Sequence, residues 1–472
     1  MSATPVPHWR DRALLCAGFL ALYAALGQDV FYKTDGLALV AYARGGPLWG
    51  AVHHALYLPL LHAFDLVVAP LTGSAYRSAV LLSALGTALG VAFAHAGGLR
   101  LGFDRARAAL FAALVGCAPA VLFFATVVEY HGLFFGAAGL AFWALTRAAE
   151  RPTPARALAL GLATYLAASV HATGHLLPAL TCTWLLALRF PLERARALVA
   201  PCIAGAVHVA LLFGVPALTR AFGNAATPES QAGFLAQQQF APLDLPLAFA
   251  REWLLAFAPL SLLALWPPRD AKLRLEWYAL LVALVPYLLA SWALNTGFNT
   301  PERGAYWLPL ALPAARLAIA QLPRTGAVLL ALACAAAGIF QVVRHDDPSA
   351  SRAWLAGFDA ARQGKPAVLL IGHSNEAAAL LVERPEQEYV ALDFLRTLAP
   401  ETLAAYMPKF MAVTERWKSE RERVYITASA RELLALVEPR CGPAFRQWLE
   451  HAFDVLPVES GSFRGEWLVP KR

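Results

Sequence analysis

Charged residues are scarce in this sequence. Asp, Glu, Lys and Arg make up only 15% of the 472 residues, whereas soluble domains carry about 25%. The shortage is concentrated in the first three-quarters of the chain, and hydrophobic residues make up 58% of the whole. A soluble fold cannot bury so much apolar surface with so little charge to cover it, so this composition predicts a membrane domain.

Cysteine is also rare, with six residues in the chain. Their spacing fits neither a zinc site nor a disulfide framework. We therefore interpret them as small core residues. They are Cys16, Cys117, Cys182, Cys202, Cys334 and Cys441.

A nucleic-acid partner is not expected, although the net charge is +7. Proteins that bind nucleic acid gather their basic residues into a patch or a stripe. Here the basic residues are mostly arginines in short clusters between apolar segments. Such clusters are typical of the cytoplasmic loops of membrane proteins.

Apolar runs of about twenty residues predict ten to eleven transmembrane helices. The predicted fold class is a polytopic α-helical membrane protein, with a membrane domain at 1–343 and a small soluble α/β domain at 344–472. The runs are 12–28, 78–98, 108–127, 131–146, 157–173, 174–188, 198–216, 252–267, 276–294, 305–322 and 325–343.

The N-terminus allows two interpretations. Arg10 and Arg12 precede an apolar run at 13–26, and residues 25–27 resemble a signal-peptide cleavage site. We favour a retained first helix, because the many later spans need a first helix to orient them.

The segment 54–71 is apolar enough to span a membrane, but it carries His54, His62, Asp65 and two prolines. We interpret it as an amphipathic helix in the interface. With this segment outside the membrane, the arginine clusters all fall on one side, which the positive-inside rule makes cytoplasmic. The N-terminus is then cytoplasmic and the C-terminal domain extracytoplasmic. The clusters are Arg10 and Arg12, then 100–107, 147–156, 189–196, 269–274 and Arg324.

The predicted outer face collects carboxylates and histidines that lie outside these clusters. They fall in the loops 29–77 and 217–250 and in the turns 129–131, 171–175 and 302–303. Ionisable groups close to a membrane are costly and are usually functional. We therefore predict a single polar site on the outer face, covered by the soluble domain.

Four short motifs follow one another on that face. They are Phe31–Gly36 with Asp35, the stretch His53, His54 and Tyr57, Val128–His131 with Glu129, and Pro301–Pro309. Over residues 10–345 the chain thereby resembles the C-type (GT-C) glycosyltransferases that use polyprenyl-phosphate sugars, the protein O-mannosyltransferases among them. Asp35 precedes Gly rather than Glu, and Glu129 is not part of an Asp-x-Asp pair. Metal dependence therefore stays unknown, with a divalent cation as the one cofactor considered.

Asp35 and Glu129 are the candidate catalytic carboxylates. Sugar transfer to a hydroxyl needs a carboxylate that takes the acceptor's proton as the oxygen attacks the anomeric carbon. Asp35 lies in a hydrated loop and suits this role; its alternative is to cap the segment that begins at Gly36. Glu129 either orients the acceptor or a metal, or is only the charged end of a span.

Eight further residues are candidate substrate-binding groups. They are His53, His54, Tyr57, Tyr130, His131, Glu302, Arg303 and Tyr306. Arg303 suits a departing lipid phosphate, because its guanidinium offers forked donors to the growing charge. Its alternatives are an ion pair with Glu302 or a contact with lipid headgroups. Tyr306 lines a sugar or prenyl channel, or else belongs to the aromatic belt at the membrane surface.

A metal site at His171 and His175 is not expected. Residues four apart share a helical face, but Gly174 predicts a turn between these two histidines.

The soluble domain is predicted to contain strands at 367–371, 389–394, 424–427 and 466–469. Helices are predicted from Asn375, from Ala430 and at 445–453. Residues 372–376 are superficially similar to a nucleophile elbow, but their last residue is Glu rather than Gly. We therefore predict that Ser374 is a helix cap and not a nucleophile.

The sequence thus predicts a membrane glycosyltransferase that moves a hexosyl or pentosyl group from a polyprenyl-phosphate donor to an acceptor hydroxyl at the outer face of the cell membrane. The expected partners are this donor, membrane lipids and a protein, lipid or glycan acceptor. The alternatives are a multi-pass transporter or flippase, and a non-catalytic protein of envelope assembly. A transporter usually has repeated halves, and we find no internal repeat. An enzyme needs Asp35, and a scaffold does not.

Overall fold

The structure is a computed structural model. It describes residues 9–45, 54–190, 197–221, 244–298, 302–392, 423–441 and 444–471, with a few single residues between 395 and 412. The chain divides into two compact units. The first contains Met1–Gln28 and Leu39–Arg344, and the second contains Asp29–Ala38 and His345–Arg472.

The described residues of the first unit form helices joined by short connections and contain no strand, as the apolar runs predict. Two 3-10 segments, Ala172–Leu176 and Ala305–Leu310, and one π-helical segment, Ala250–Leu255, interrupt the α-helices. The α-helices up to residue 345 are Trp9–Ala25, Thr34–Gly45, Tyr57–Thr72, Ala75–Arg100, Arg105–Cys117, Pro119–Ala125, Tyr130–Glu150, Pro154–Val170, Leu177–Arg189, Val199–Ala221, Asp244–Phe249, Leu260–Ala264, Ala271–Phe298, Ala311–Gln321 and Arg324–His345.

The helices differ from the predicted spans in their continuity. Each of the eleven apolar runs overlaps a helix. Among the described residues, however, four helices are long and apolar enough to cross a membrane, or five if the bent pair Arg105–Cys117 and Pro119–Ala125 is one span. That pair is bent by 67°, because Pro119 cannot donate a backbone hydrogen bond to the preceding turn. Breaks of this kind divide several predicted spans into shorter pieces.

Two helices pack unusually closely, Ala75–Arg100 and Tyr130–Glu150. A Cβ built at Gly132 would lie 2.5 Å from the backbone oxygen of Ser83, and one at Gly139 would lie 2.7 Å from the Cα of Gly90. Small residues four apart let membrane helices approach to backbone contact. This contact fixes the start of the second helix, where Glu129 is the N-cap residue.

The segment predicted to lie in the interface forms one helix, Tyr57–Thr72. It ends at Gly73, whose φ of 70° is left-handed and whose N–H bonds to the carbonyl of Ala69. Several of its large apolar side chains are exposed, Leu66, Val67 and Leu71 among them. Its place in the interface stays a prediction.

The second unit is built on a five-stranded sheet of order β2-β1-β3-β5-β4. The central strand β1 is parallel to β2 and β3, whereas β5 is antiparallel to both β3 and β4. The strands are β1 Ala367–Ile371, β2 Tyr389–Ala391, β3 Arg423–Thr427, β4 Phe453–Ser460 and β5 Phe463–Pro470. The helices are Ser349–Arg362, Ser374–Glu383, Ala428–Cys441 and Ala444–Ala452.

Alternation along β1 produces two cores, one on each face of the sheet. Leu369 and Ile371 pack with the helices Ser349–Arg362 and Ser374–Glu383, and Val368 and Leu370 pack with the other two. Burial on both faces explains why β1 is a continuous apolar run.

One strand of this unit is missed by the sequence prediction, and one predicted role is wrong. Strand β4 was not predicted, because Pro457 and exposed residues such as Leu456 interrupt its apolar pattern. Ser374 is not the cap of its helix. That cap is His373, whose Nδ1 accepts from the N–H of Asn375, while Glu376 accepts from the N–H of His373. An imidazole nitrogen here replaces the hydroxyl oxygen expected from propensity.

The segment Asp29–Ala38 belongs to the second unit, although it precedes most of the membrane helices in sequence. The N–H of Asp29 donates to Oδ1 of Asp346 at 2.6 Å, and Arg352 donates to Oδ2 of Asp29 at 3.1 Å. Leu37 packs against the core of this unit. Asp35 is therefore carried by the second unit.

Candidate functional site

Glu129 is a buried carboxylate between two helices of the first unit. The residue is 2% exposed and precedes the helix Tyr130–Glu150 with an extended backbone. Its backbone carbonyl accepts from the hydroxyl of Ser83 at 3.1 Å, which ties it to the helix Ala75–Arg100. Its Oε2 lies 3.6 Å from Nδ1 of His131. A hydrated helix end would not be buried in this way, because burying a carboxylate is costly.

A group of aromatic rings that includes His131 lies at this carboxylate, and we call it the histidine cluster. The centroid of His171 lies 4.6 Å from that of His131 and 4.6 Å from that of His54. Tyr130 lies 3.9 Å from His54. The cluster consists of His54, Tyr57, Tyr130, His131, His171 and Tyr306.

The ring of His171 has a defined hydrogen-bonding pattern. It ends the helix Pro154–Val170 and begins the 3-10 segment Ala172–Leu176. Its Nδ1 accepts from the backbone N–H of Thr173 and lies 2.7 Å from that residue's hydroxyl. A neutral imidazole whose Nδ1 accepts carries its proton on Nε2. His171 therefore offers a hydrogen-bond donor at Nε2.

Backbone hydrogen bonds hold the elements of the cluster together. The N–H of Leu56 donates to the carbonyl of Ser169 at 2.9 Å, which fixes the stretch before Tyr57 on the helix that ends at His171. On the other side, the ring of Phe124 packs 4.9 Å from that of His131. The histidines are thus set by four separate elements.

The turn that carries Arg303 has an uncommon backbone. Arg303 has a φ of 50° and Gly304 a φ of 78°, both left-handed. Glu252 spans this turn from the π-helical segment, because its Oε1 accepts the N–H of Glu302 at 2.8 Å and its Oε2 accepts the N–H of Gly304 at 2.7 Å. Glu252 is 0% exposed. The carboxylate therefore bonds the residues on both sides of Arg303.

The guanidinium of Arg303 lies over an aromatic face, with Cζ 4.9 Å from the ring centroid of Phe123. The 3-10 segment that follows brings Tyr306 into the histidine cluster, 6.1 Å from His131. Trp307, which is fully buried, donates from its indole nitrogen to the hydroxyl of Ser291. A cation, a buried carboxylate and several hydrogen-bonding rings thus occupy one region of the first unit.

Most of the predicted site residues of the first unit come together here. They are His54, Tyr57, Glu129, Tyr130, His131, Glu302, Arg303 and Tyr306. His53 lies outside the described residues. Asp35 is in the second unit, exposed in the first turn of the helix Thr34–Gly45.

Sequence reasoning missed Glu252, and it placed His171 on the outer face without assigning it to the substrate-binding residues. Glu252 stands at the edge of an apolar run, and a lone carboxylate in such a run is a sufficient signal of function. As a ligand, His171 was considered only together with His175. The structure confirms a turn at Gly174 and instead places His175 Nδ1 3.0 Å from Nε2 of His208.

The part of the chain that the structure describes contains no group of three or more His, Cys, Asp or Glu residues arranged to hold a metal ion. Glu129 and His131 offer one oxygen and one nitrogen as neighbours. A zinc site needs three or four protein ligands, more than these two. We therefore derive no step through a metal ion.

The fold is similar to that of solved membrane proteins. The crystal structure of ArnT from Cupriavidus metallidurans bound to undecaprenyl phosphate covers 98% of this chain and 98% of its own, with a TM-score of 0.55 and 13% identity. The apo state of ArnT gives the same score and coverage at 12% identity. Arabinofuranosyltransferase AftD from Mycobacteria gives a TM-score of 0.49 at 16% identity, covering 90% of this chain and 37% of that one.

Comparison of the sequence with known families covers a smaller part of the chain than the structural comparison. The family model described as a predicted membrane protein (DUF2142) matches residues 47–247. No curated protein matches the chain in sequence. The chain is thus a membrane protein with a fold like that of ArnT, and this agrees with the polytopic helical fold that the sequence predicts.

Proposed function

We propose that this protein is a membrane glycosyltransferase that moves a sugar from a polyprenyl-phosphate donor to an acceptor hydroxyl. The observation that carries the proposal is the buried Glu129 beside His131, whose ring packs on that of His171, in one region with Arg303. A transporter or a scaffold has no evident use for a carboxylate buried among hydrogen-bonding rings. That ArnT, a protein of the same fold, is bound to undecaprenyl phosphate supports the choice of donor.

The histidine cluster suits a sugar. Neutral imidazole and phenol groups donate and accept hydrogen bonds, and sugar hydroxyls need both. His171 supplies a donor at Nε2, and Glu129 supplies acceptor oxygens. Burial strengthens these bonds, since competing water is excluded. We assign the cluster to the sugar and acceptor hydroxyls, with Glu129 orienting the acceptor.

Arg303 suits the phosphate. As the bond between the anomeric carbon and the phosphate oxygen breaks, the electron pair stays on the phosphate and its negative charge grows. A fixed guanidinium stabilises this charge more in the transition state than in the ground state. The acceptor oxygen forms the new bond to the anomeric carbon.

Asp35 is the proposed general base. It receives the acceptor's proton as the oxygen attacks. Its side chain is exposed at the start of a helix, so an acceptor can reach it. The outer face of the cell membrane, with the N-terminus on the cytoplasmic side, is the proposed location.

The test is transfer of a radiolabelled sugar from polyprenyl phosphate, with hexosyl and pentosyl donors run separately. Membranes containing equal amounts of the wild type, Glu129→Gln and Asp35→Asn are compared. We expect the wild type to transfer the labelled sugar from the donor to the acceptor and the two variants not to transfer it. Equal transfer by all three forms would overturn the enzymatic assignment, and a donor that crosses the bilayer unhydrolysed would identify a flippase.

A further inference from the structure

The backbone conformation of the turn Glu302–Gly304 is not one that its residues adopt by themselves. A left-handed φ is unfavourable for an L side chain such as that of Arg303. Gly304 accepts its own left-handed φ, and a Cβ there would lie 2.7 Å from the ring of Phe257 and 2.8 Å from the Cβ of Ala256. Some interaction must hold Arg303 in this conformation.

Glu252 provides that interaction. Its two oxygens accept two backbone N–H groups, 2.8 Å and 2.7 Å away, on the residues that flank Arg303. Successive N–H groups around left-handed residues form a concave anion site, and here the anion is a side chain of the same protein. Phe123 lies under the other end of Arg303, at the guanidinium.

A carboxylate is needed for this arrangement, since an amide does not replace it. Glutamine has one acceptor oxygen and one NH2 donor. One of the two backbone N–H groups would therefore face another donor. The fully buried position also makes an unpartnered group costly.

We propose that Glu252 is a positioning residue that holds Arg303 in the conformation that binds the phosphate of the polyprenyl-phosphate donor. The inference rests on the proposed function, because it takes the phosphate role of Arg303 as given. Glu252 itself need not touch the donor. Its effect on phosphate binding is expected to pass through Arg303 alone.

The test is a double-mutant cycle on the affinity for undecaprenyl phosphate, with purified protein in detergent. Glu252→Gln is expected to weaken binding about tenfold, the value of a hydrogen bond to a charged group, and Arg303→Ala to weaken it more. If Glu252 acts through Arg303, the double variant binds like Arg303→Ala alone.

A matched control is Glu276, another buried glutamate of the first unit. It is 5% exposed and accepts from the indole of Trp184 at 3.0 Å and from Arg316 at 3.3 Å. Glu276→Gln is expected to leave the affinity unchanged in either background. Glu252→Asp keeps both acceptors on a shorter side chain and replaces Glu252→Gln in the cycle should the amide variant not fold.

Hydrogen exchange of the protein without ligand measures the two hydrogen bonds from Glu302 and Gly304 to Glu252. The amides of Glu302 and Gly304 should exchange faster in Glu252→Gln than in the wild type, and at the wild-type rate in Arg303→Ala. Unchanged exchange in Glu252→Gln overturns the inference. The inference is also overturned if the affinity losses of Glu252→Gln and Arg303→Ala add up in the double variant, or if only Arg303→Ala loses affinity. Both of these outcomes leave the proposed function unaffected. Wild-type affinity in Arg303→Ala instead overturns the phosphate role itself, and the inference with it.

Discussion

At the scale of single residues, the carboxylates named here have different environments. Glu129 and Glu252 are fully buried, and Asp35 is exposed. A buried carboxylate persists only where hydrogen bonds or charges compensate for lost hydration, as the two backbone donors do for Glu252. An exposed carboxylate has no such cost and can be reached by an acceptor. This difference supports orientation as the role of Glu129 and proton removal as the role of Asp35.

Asp35→Asn is expected to lower turnover by about 100-fold or more, because it removes the basic oxygen and keeps the size. Folding should be spared, since the residue lies in the first turn of its helix, where a carboxylate contributes about 0.3–1 kcal/mol. The measurement is sugar transfer at equal protein levels, together with the melting temperature. A variant as active as the wild type would show that Asp35 serves only the helix.

Arg303→Lys should keep part of the activity and Arg303→Ala much less. Lysine preserves the charge but loses the forked geometry of the guanidinium. The comparison is made on kcat/KM for the lipid-linked donor. Arg156, which donates to the carbonyl of Arg147 near the end of another helix, provides an arginine control outside the site. Equal kcat/KM values in the wild type, Arg303→Lys and Arg303→Ala would show that Arg303 only contacts lipid headgroups.

At the scale of helices, backbone contact between Ala75–Arg100 and Tyr130–Glu150 sets the site. Glycines on both helices remove the side chains that would separate them. Membrane helices gain little from burying apolar surface against each other, because lipid is also apolar, so close packing is their main attraction. The start of the second helix, with Glu129, Tyr130 and His131, is held by this contact.

Gly139→Ala is therefore expected to destabilise the protein, although alanine is the better helix former. Its Cβ would lie 2.7 Å from the Cα of Gly90, and overpacking costs about 1–3 kcal/mol. Gly205→Ala is the matched control, because nothing lies within 4 Å of a Cβ there. A cost of this size should lower the melting temperature of the purified protein by several degrees. We expect this fall in Gly139→Ala and not in Gly205→Ala. Equal melting temperatures would contradict the close packing.

At the scale of the whole molecule, orientation in the membrane follows from charge rather than from any contact. The arginine clusters lie at helix ends and in the adjoining loops, and the positive-inside rule assigns these to the cytoplasm. Arg151 is exposed at the end of the helix Tyr130–Glu150, and Glu450 is exposed in the second unit. The two positions are predicted to lie on opposite sides of the membrane.

Single cysteines at these positions test this arrangement. In a background without the six native cysteines, Glu450→Cys should react with a membrane-impermeant thiol reagent in intact cells. Arg151→Cys should react only after lysis. The reverse pattern would invert the topology and place the proposed site on the cytoplasmic face.

The sequence alone determined the class of this protein and the position of its helices. Hydrophobic transfer acts locally and nearly additively along a run of residues, so the apolar stretches predicted a helix at each of eleven places. The buried strand β1 was predictable for the same reason. The motif residues Glu129, His131 and Arg303 were found because charges and histidines near apolar segments are conspicuous.

Only the tertiary structure decided how those helices are interrupted and what surrounds each motif residue. The hydrogen bond between Glu252 and Gly304 and the contact between His131 and His171 join positions about forty or more residues apart, and a single sequence carries no record of such contacts. The association of Asp29–Ala38 with the C-terminal unit is of the same kind, since it depends on Asp346 and Arg352 more than three hundred residues away. Local pattern fixes where a helix forms, but contact between distant segments depends on how all of them pack at once.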